Sequence, residues 1–317
     1  METIETLEKY DLHCHLDGSL SEHTIRKLAD YTGVALPGEN ASLKRLLQAE
    51  PDCKSLREYL EKFHLPLSCL IDRNCFKTAV SDLMGEAAGE RVVYLEIRFA
   101  PLLSVHENLT VRQIIEGALD GLEDGKRKYG IRGNLILCGM RHMSAEANTE
   151  LARTAREYLG CGVAALDLAG DEAGFPVGQQ AAMFREAKKL GMPFTIHAGE
   201  CGSSRSVREA IDLGAKRIGH GIAVQKDGEL MKLCADRRIF LEMCPTSNLQ
   251  TKAVDSMEHY PFLRFLEAGI PVTVNTDNRT VSNTTITREL ELLQEYLHIT
   301  YGDMEMLMRT AKEAAFE

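Results

Sequence analysis

His13 and His15 stand two residues apart in Tyr10-Asp11-Leu12-His13-Cys14-His15-Leu16-Asp17-Gly18, an apolar stretch with the character of a strand. In an extended strand residues i and i+2 face the same way, so both imidazoles can turn to one point while Cys14 faces the other side. Neutral imidazole is a ready metal ligand, and the pair reads as half of a metal site; taken alone it also reads as two polar strand residues hydrogen-bonded at a surface. Further chemistry-bearing groups follow in His197-Ala198-Gly199-Glu200, Gly219-His220-Gly221 and Thr276-Asp277-Asn278. His13, His15, His197 and Asp277 make a nitrogen-rich set suited to zinc, with iron, cobalt or nickel allowed by the same donors. Glu200 and His220 are left over for proton transfer. Each has a bland alternative: His197 as a hydrogen-bonded core histidine, Asp277 as the cap of a helix beginning near Ser282, His220 as a residue whose flanking glycines allow tight packing. Their joint occurrence at the ends of similar apolar runs is what gives the set its weight.

Those runs are the elements that must position the set. Eight recur, often β-branched and each closing on polar residues or glycine: Tyr10 to Gly18, Arg91 to Pro101, Gly133 to His142, Val163 to Glu172, Pro193 to Glu200, Lys216 to Ile222, Ile239 to Asn248 and Pro271 to Asn278. Between them lie stretches with helical spacing, such as Val111 to Tyr129 and Gly178 to Leu190. Strand alternating with helix means parallel strands and crossover helices, and eight repeats predict an α/β fold of the (β/α)8 TIM-barrel kind. An open doubly wound sheet is the competitor, but the first strand-to-helix turn is His-Leu-Asp-Gly-Ser, without a Gly-rich phosphate loop. In a barrel the carboxyl ends of the strands share one mouth, where the candidate residues sit. The connection between the first and second runs is far longer than a crossover helix needs. It predicts a helical insertion over about 35–90, with Leu56, Leu60 and Phe63 at helical spacing, forming a lid over the mouth or a helical pair on the barrel's side. No linker or repeat suggests a second domain, so residues 1–317 read as one.

Composition narrows the partners. A formal net charge of -10 disfavours nucleic acid or an anionic membrane as the main partner, and the densest basic stretch, Lys126-Arg127-Lys128, reads as a solvated helix end. The 9 cysteines include no CxxC pair, and the acidic stretch before Tyr10 lacks the apolar core of a signal peptide. A reduced, cytoplasmic thiol set is the expectation, with no disulfides and no membrane span. Ala314 to Glu317 reads as a continuing helix.

The ordered motifs His-x-His-Leu-Asp-Gly, Asp-Leu-Ala-Gly-Asp-Glu (Asp167 to Glu172), His-Ala-Gly-Glu, Arg-Ile-Gly-His-Gly, Cys-Pro-Thr-Ser-Asn (Cys244 to Asn248) and Asn-Thr-Asp resemble the adenosine deaminase family of the amidohydrolase superfamily. The resemblance runs from about Lys9 to the helix after Asn283. It implies one catalytic zinc per chain on His13, His15, His197 and Asp277, a proton passed from Glu200 to purine N1, and His220 orienting and helping to deprotonate the zinc-bound water. It further implies Asp17 on the ribose 5'-hydroxyl beside His15, the Gly170 backbone amide at purine N3, and Phe63 in an apolar lid. The substrate implied is a purine nucleoside of salvage metabolism, adenosine or 2'-deoxyadenosine. One position departs from the best-known pattern: Asn278 stands where many members carry a second aspartate facing purine N7. An amide always has donors, so it can serve N7 without being a neutral acid.

Such roles make chemical sense. Deprotonating bulk water at pH 7 costs roughly 12 kcal/mol, while bound zinc can bring that pKa near 7. The amidine-like ring carbon also needs its ring nitrogen protonated, which suits a carboxylic acid with a raised pKa. Rivals on the same chemistry are deaminases of adenine, 5'-methylthioadenosine or aminodeoxyfutalosine. Metal-dependent ester, lactone or amide hydrolysis is a second class, disfavoured because no lysine stands at the fourth or fifth strand end to bridge two metals. An adenosine-binding protein without activity is a third, against which Glu200 and the full ligand set both argue.

Overall fold

Every apolar run contains a strand in the computed structural model, which describes residues 3–38, 40–50 and 53–317. The strands are β1 (Lys9–His15), β2 (Val92–Phe99), β3 (Arg132–Met140), β4 (Val163–Ala169), β5 (Thr195–Ala198), β6 (Arg217–His220), β7 (Phe240–Met243) and β8 (Val272–Val274). They pair in parallel and in chain order, as two four-stranded sheets, β1 to β4 and β5 to β8. Single parallel bridges, Leu166 with Phe194 and Cys14 with Asp277, tie the edges of one sheet to the other. The strands β1 and β4 are buried along their whole length, as expected where helices cover one face and side chains fill the other.

The helices obey local rules where the sequence is regular. Val111–Tyr129 has the predicted bounds, set by a Thr110/Gln113 capping box and by Gly130 in the left-handed conformation. It packs closely on the crossover helix Arg73–Gly89: a Cβ at Gly117 would lie 2.4 Å from the Arg73 carbonyl oxygen. The Gly178 to Leu190 pattern divides into a 3-10 turn, Val177–Gln180, and a helix, Ala181–Leu190. Gln180 turns inward there, donating to the backbone carbonyls of Arg141 and Met143. The helix expected near Ser282 begins at Ile286, and its cap is Thr285 rather than Asp277.

Between β1 and β2 run the helices Glu22–Thr32, Asn40–Leu47, Leu56–Leu60, His64–Cys69 and Arg73–Gly89. Residues 39, 51 and 52 of the expected 35–90 insertion lie outside the described residues, and its last part is the crossover helix leading into β2. The chain end departs from expectation. Its helix, Tyr301–Ala314, stops, and Ala315 is extended. Phe316 then donates its N–H to Glu96 at 2.6 Å and lays its ring 4.2 Å from the Arg217 guanidinium. Bonds to interior polar groups outcompete another helical turn. Among the described residues no helix is long and apolar enough to cross a membrane, and no disulfide forms.

Candidate active site

The predicted residues meet at the carboxyl ends of the strands. His13 and His15 close β1, His197 lies in β5, His220 ends β6, and Asp277 follows β8. His220 and Asp277 both have positive φ, 63° and 59°, a conformation that costs a non-glycine residue energy and is concentrated where function requires it. For Asp277 the neighbouring strand enforces it: its N–H donates to the His13 carbonyl and its own carbonyl accepts from the His15 N–H, both at 2.7 Å. A small residue between the rings is also required, since a Cβ at Gly219 would lie 3.2 Å from the His13 ring.

The ligand atoms converge. His13 Nε2 lies 3.3 Å and His15 Nε2 3.5 Å from Asp277 Oδ1, and His15 Nε2 is 3.1 Å from His197 Nε2. A tetrahedron with bonds of about 2.1 Å has edges of about 3.4 Å, so this spacing suits a tetrahedral divalent metal. His13 Nε2 is buried without a hydrogen-bond partner, which a metal would supply. The residues present fit the ion.

Carboxylates aim the rings. His13 Nδ1 is 2.8 Å from Glu242 Oε2 in β7, and His197 Nδ1 is 2.8 Å from Asp167 Oδ2 in β4. Arg98 in β2 spans both carboxylates at 2.8 and 2.9 Å. Ser247 donates to Asp277 Oδ2 at 2.5 Å. Sequence reasoning assigned no role to Asp167, Glu242, Arg98 or Ser247. A signal existed for the first three: they are charged residues inside otherwise apolar strands, where an ion survives only with partners.

Electrostatics separates these groups by task. Burial pushes Glu200 up to about 8, reinforced by the charges of Asp277 and Glu172. Glu172 in turn accepts the N–H groups of Gly199 and Cys201, fixing the turn that carries Glu200. Burial holds His220 and His15 well below the ordinary imidazole value. For His13, burial and Arg98 push down, but bonds to Asp277 and Glu242 raise it on balance. His220 Nε2 is 3.6 Å from Glu200 Oε2.

Above the ligands opens a cavity of ≈ 450 Å³, within the range of small-molecule sites. His15, His197, Asp277, Glu200, His220, Asp17, Gly170, Asn278 and Phe63 all line it, and His13 lies fully buried with its ring 4.6 Å from that of His197. Leu56, Tyr59, Leu60 and Leu67 join Phe63 in the wall built by the β1–β2 connection. Gly170, at φ 105°, turns the chain at the end of β4. Asp17 is buried with Oδ1 unpartnered, and burial raises it to about 6. Asn278 packs against Gly18, where a Cβ would meet its Oδ1 at 1.8 Å. Tyr59 was not anticipated; its hydroxyl pairs with Ser282 Oγ at 2.6 Å and ties the connection to the loop after β8.

Known proteins resemble this chain along nearly its whole length. Residues 8–317 match the sequence profile of the family described as adenosine deaminase. An adenosine deaminase of Enterococcus faecalis is 40% identical over 313 residues, covering 99% of this chain and 93% of its own. One from Clostridium botulinum is 45% identical, covering 98% and 93%. Among solved structures, Arabidopsis ADAL complexed with IMP superposes with a TM-score of 0.88 at 26% identity, over 100% of this chain and 94% of that one.

Proposed function

The chain belongs to the adenosine deaminase family and is an enzyme that deaminates adenosine; we propose that it converts adenosine and 2'-deoxyadenosine to inosine and 2'-deoxyinosine plus ammonia, with one zinc held by His13, His15, His197 and Asp277. The observation that carries this reading is the convergence of those four ligand atoms beneath a cavity that Glu200, buried and pushed up to about 8, also lines. Zinc, when bound, lowers the pKa of water enough to make hydroxide available at neutral pH.

The protein's own groups do the rest. Glu200 gives its proton to purine N1, so that attack at the ring carbon does not build an anion on the base. The proton lost by the attacking water passes to the vacated Glu200 carboxylate and from there to the departing amino group, which leaves as ammonia while the proton still on the added oxygen returns to Glu200. His220 stands over the attacking oxygen and orients it. Asn278 offers its amide donor to purine N7, the Gly170 N–H meets N3, and Asp17 with His15 binds the 5'-hydroxyl. We read the architecture as a closed (β/α)8 barrel, with the two bridges as its seams. Phe63 and the other side chains of the β1–β2 connection act as a lid that keeps bulk water out.

The cavity wall favours a nucleoside over a nucleotide. Among the described residues no lysine or arginine lines it, while Asp17 and Asp171 do, so a 5'-phosphate would face carboxylates. Purified protein offered adenosine, deoxyadenosine, adenine, methylthioadenosine and aminodeoxyfutalosine, with ammonia measured, is expected to turn over the first two fastest. Preference for any other member would reassign the substrate.

A further inference from the structure

What His220 can do in that reaction depends on which ring nitrogen carries its proton. Its Nδ1 lies 3.0 Å from Asn248 Nδ2. An amide nitrogen only donates and an amide oxygen only accepts, so the direction of this bond follows from how the Asn248 amide is turned. Tyr260 turns it, its hydroxyl donating to Asn248 Oδ1 at 3.0 Å. With Oδ1 taking the phenol's proton, the amide NH2 is the end of Asn248 that faces His220 Nδ1. All three side chains are buried, at 4% exposure or less, which removes water as an alternative partner. Asn248 is anchored as well: its N–H donates to the Cys244 carbonyl at 2.9 Å and its own carbonyl accepts from Val254.

We propose that Asn248 and Tyr260 are positioning residues that fix neutral His220 with its proton on Nε2, so that it meets the attacking oxygen as a hydrogen-bond donor and not as a base. The chain of bonds runs one way, from Tyr260 O–H to Asn248 Oδ1, and from Asn248 N–H to His220 Nδ1. The remaining nitrogen faces Glu200 and the ligand rings, with the His13 ring centroid 5.0 Å and that of His197 5.2 Å away. A fixed donor there stabilises negative charge growing on the attacking oxygen, which helps the water lose its proton without His220 taking it. Glu200 is then the acceptor of that proton. The placement of His220 over the attacking oxygen rests on the deaminase reading; the tautomer rests on the hydrogen bonds alone.

The test uses zinc-loaded protein labelled with ¹⁵N-histidine, His220 being assigned by its loss in H220Q. Long-range ¹H–¹⁵N spectra are expected to show Nδ1 unprotonated and Nε2 as N–H; a proton on Nδ1 overturns the proposal. Asn248→Asp replaces the donor with an acceptor and is expected to move the proton to Nδ1. With it, kcat falls about 10²–10³-fold, the usual loss on removing a donor from a reacting oxygen, while zinc content and KM stay near wild type. Tyr260→Phe leaves the amide free to turn and lowers kcat about three- to tenfold, on the scale of one hydrogen bond. Wild-type kcat in N248D also overturns the assignment, and the wild-type spectrum decides alone if that variant does not fold. If no adenosine compound is turned over, the deaminase reading fails while the spectrum still reports the tautomer.

Discussion

Two layers of buried polar groups lie along the strands, and they are supplied with partners in opposite ways. In the lower layer arginines and carboxylates pair: Arg98 with Asp167 and Glu242 at 2.8 and 2.9 Å, and Arg217 with Glu96 and Glu242 at 2.6 Å each. In the upper layer His13 Nε2, Asp17 Oδ1 and Asn278 Oδ1 are buried without partners, and burial raises Asp17 and Glu200. Burial is similar; the supply of counter-charges is not. A buried ion that lacks a partner is costly, so the upper layer is poised for partners that arrive from outside, a metal and a substrate. Asp167 and Glu242 belong to both layers, meeting arginines below and histidines above, so the lower layer fixes the direction in which the upper one is open.

Breaking the upper layer should have the largest effect. His13→Ala is expected to lose zinc and turnover together, whereas Glu200→Gln keeps one zinc per chain and loses about 10²–10⁴-fold in turnover. Metal analysis beside an ammonia assay checks both; normal deamination by E200Q would remove Glu200 from its role. Breaking the lower layer with Arg98→Met leaves two buried carboxylates short of a cation. It is expected to cost about 3–5 kcal/mol in urea unfolding and about 10–100-fold in zinc affinity by chelator competition. If stability falls and zinc affinity does not, the two layers are independent.

Glu289 sharpens the contrast, because it is a fully buried carboxylate outside both layers that forms no ion pair among the described residues. It accepts the Thr246 N–H and the Thr284 hydroxyl, and burial raises it to about 7. Above about pH 4.5 the unfolded chain loses this proton while the folded one keeps it until about pH 7, so stability falls as pH rises across that window. At about 1.36 kcal/mol per pKa unit the loss is at most about 3 kcal/mol. Urea titrations of Glu289→Gln at several pH values should show a flatter profile than wild type; an unchanged profile would mean that Glu289 is ionised in the fold. The smallest effect belongs to the wall. Phe63→Ala removes apolar contact worth about 1–2 kcal/mol and should raise KM about tenfold, with a smaller fall in kcat as water gains access. A fall in kcat alone would show that Phe63 excludes water without holding substrate.

Much of this was legible beforehand. The strands could be read because parallel strands covered on both faces are continuous apolar runs, and His13, His15, His197, His220, Glu200 and Asp277 because each ends or follows such a run. Arg98, Asp167 and Glu242 were not assigned, since a charged residue in an apolar strand does not announce which other strand holds its partner. The helix at the chain end was read too far, because no local pattern shows that Phe316 has Glu96 and Arg217 to bond. Tyr59 and Tyr260 looked like ordinary aromatics until their hydroxyls found Ser282 and Asn248.

By itself the sequence determined the order of strands and helices, the kinds of donors at the strand ends and the family they resemble, because these follow from local periodicity and side-chain chemistry. Only the tertiary structure decided which ring nitrogen of each histidine is free, which buried charges are balanced and which are left open. Those properties belong to pairs of residues brought within about 3 Å by strands far apart in the chain, and no spacing along one strand encodes a distance to another.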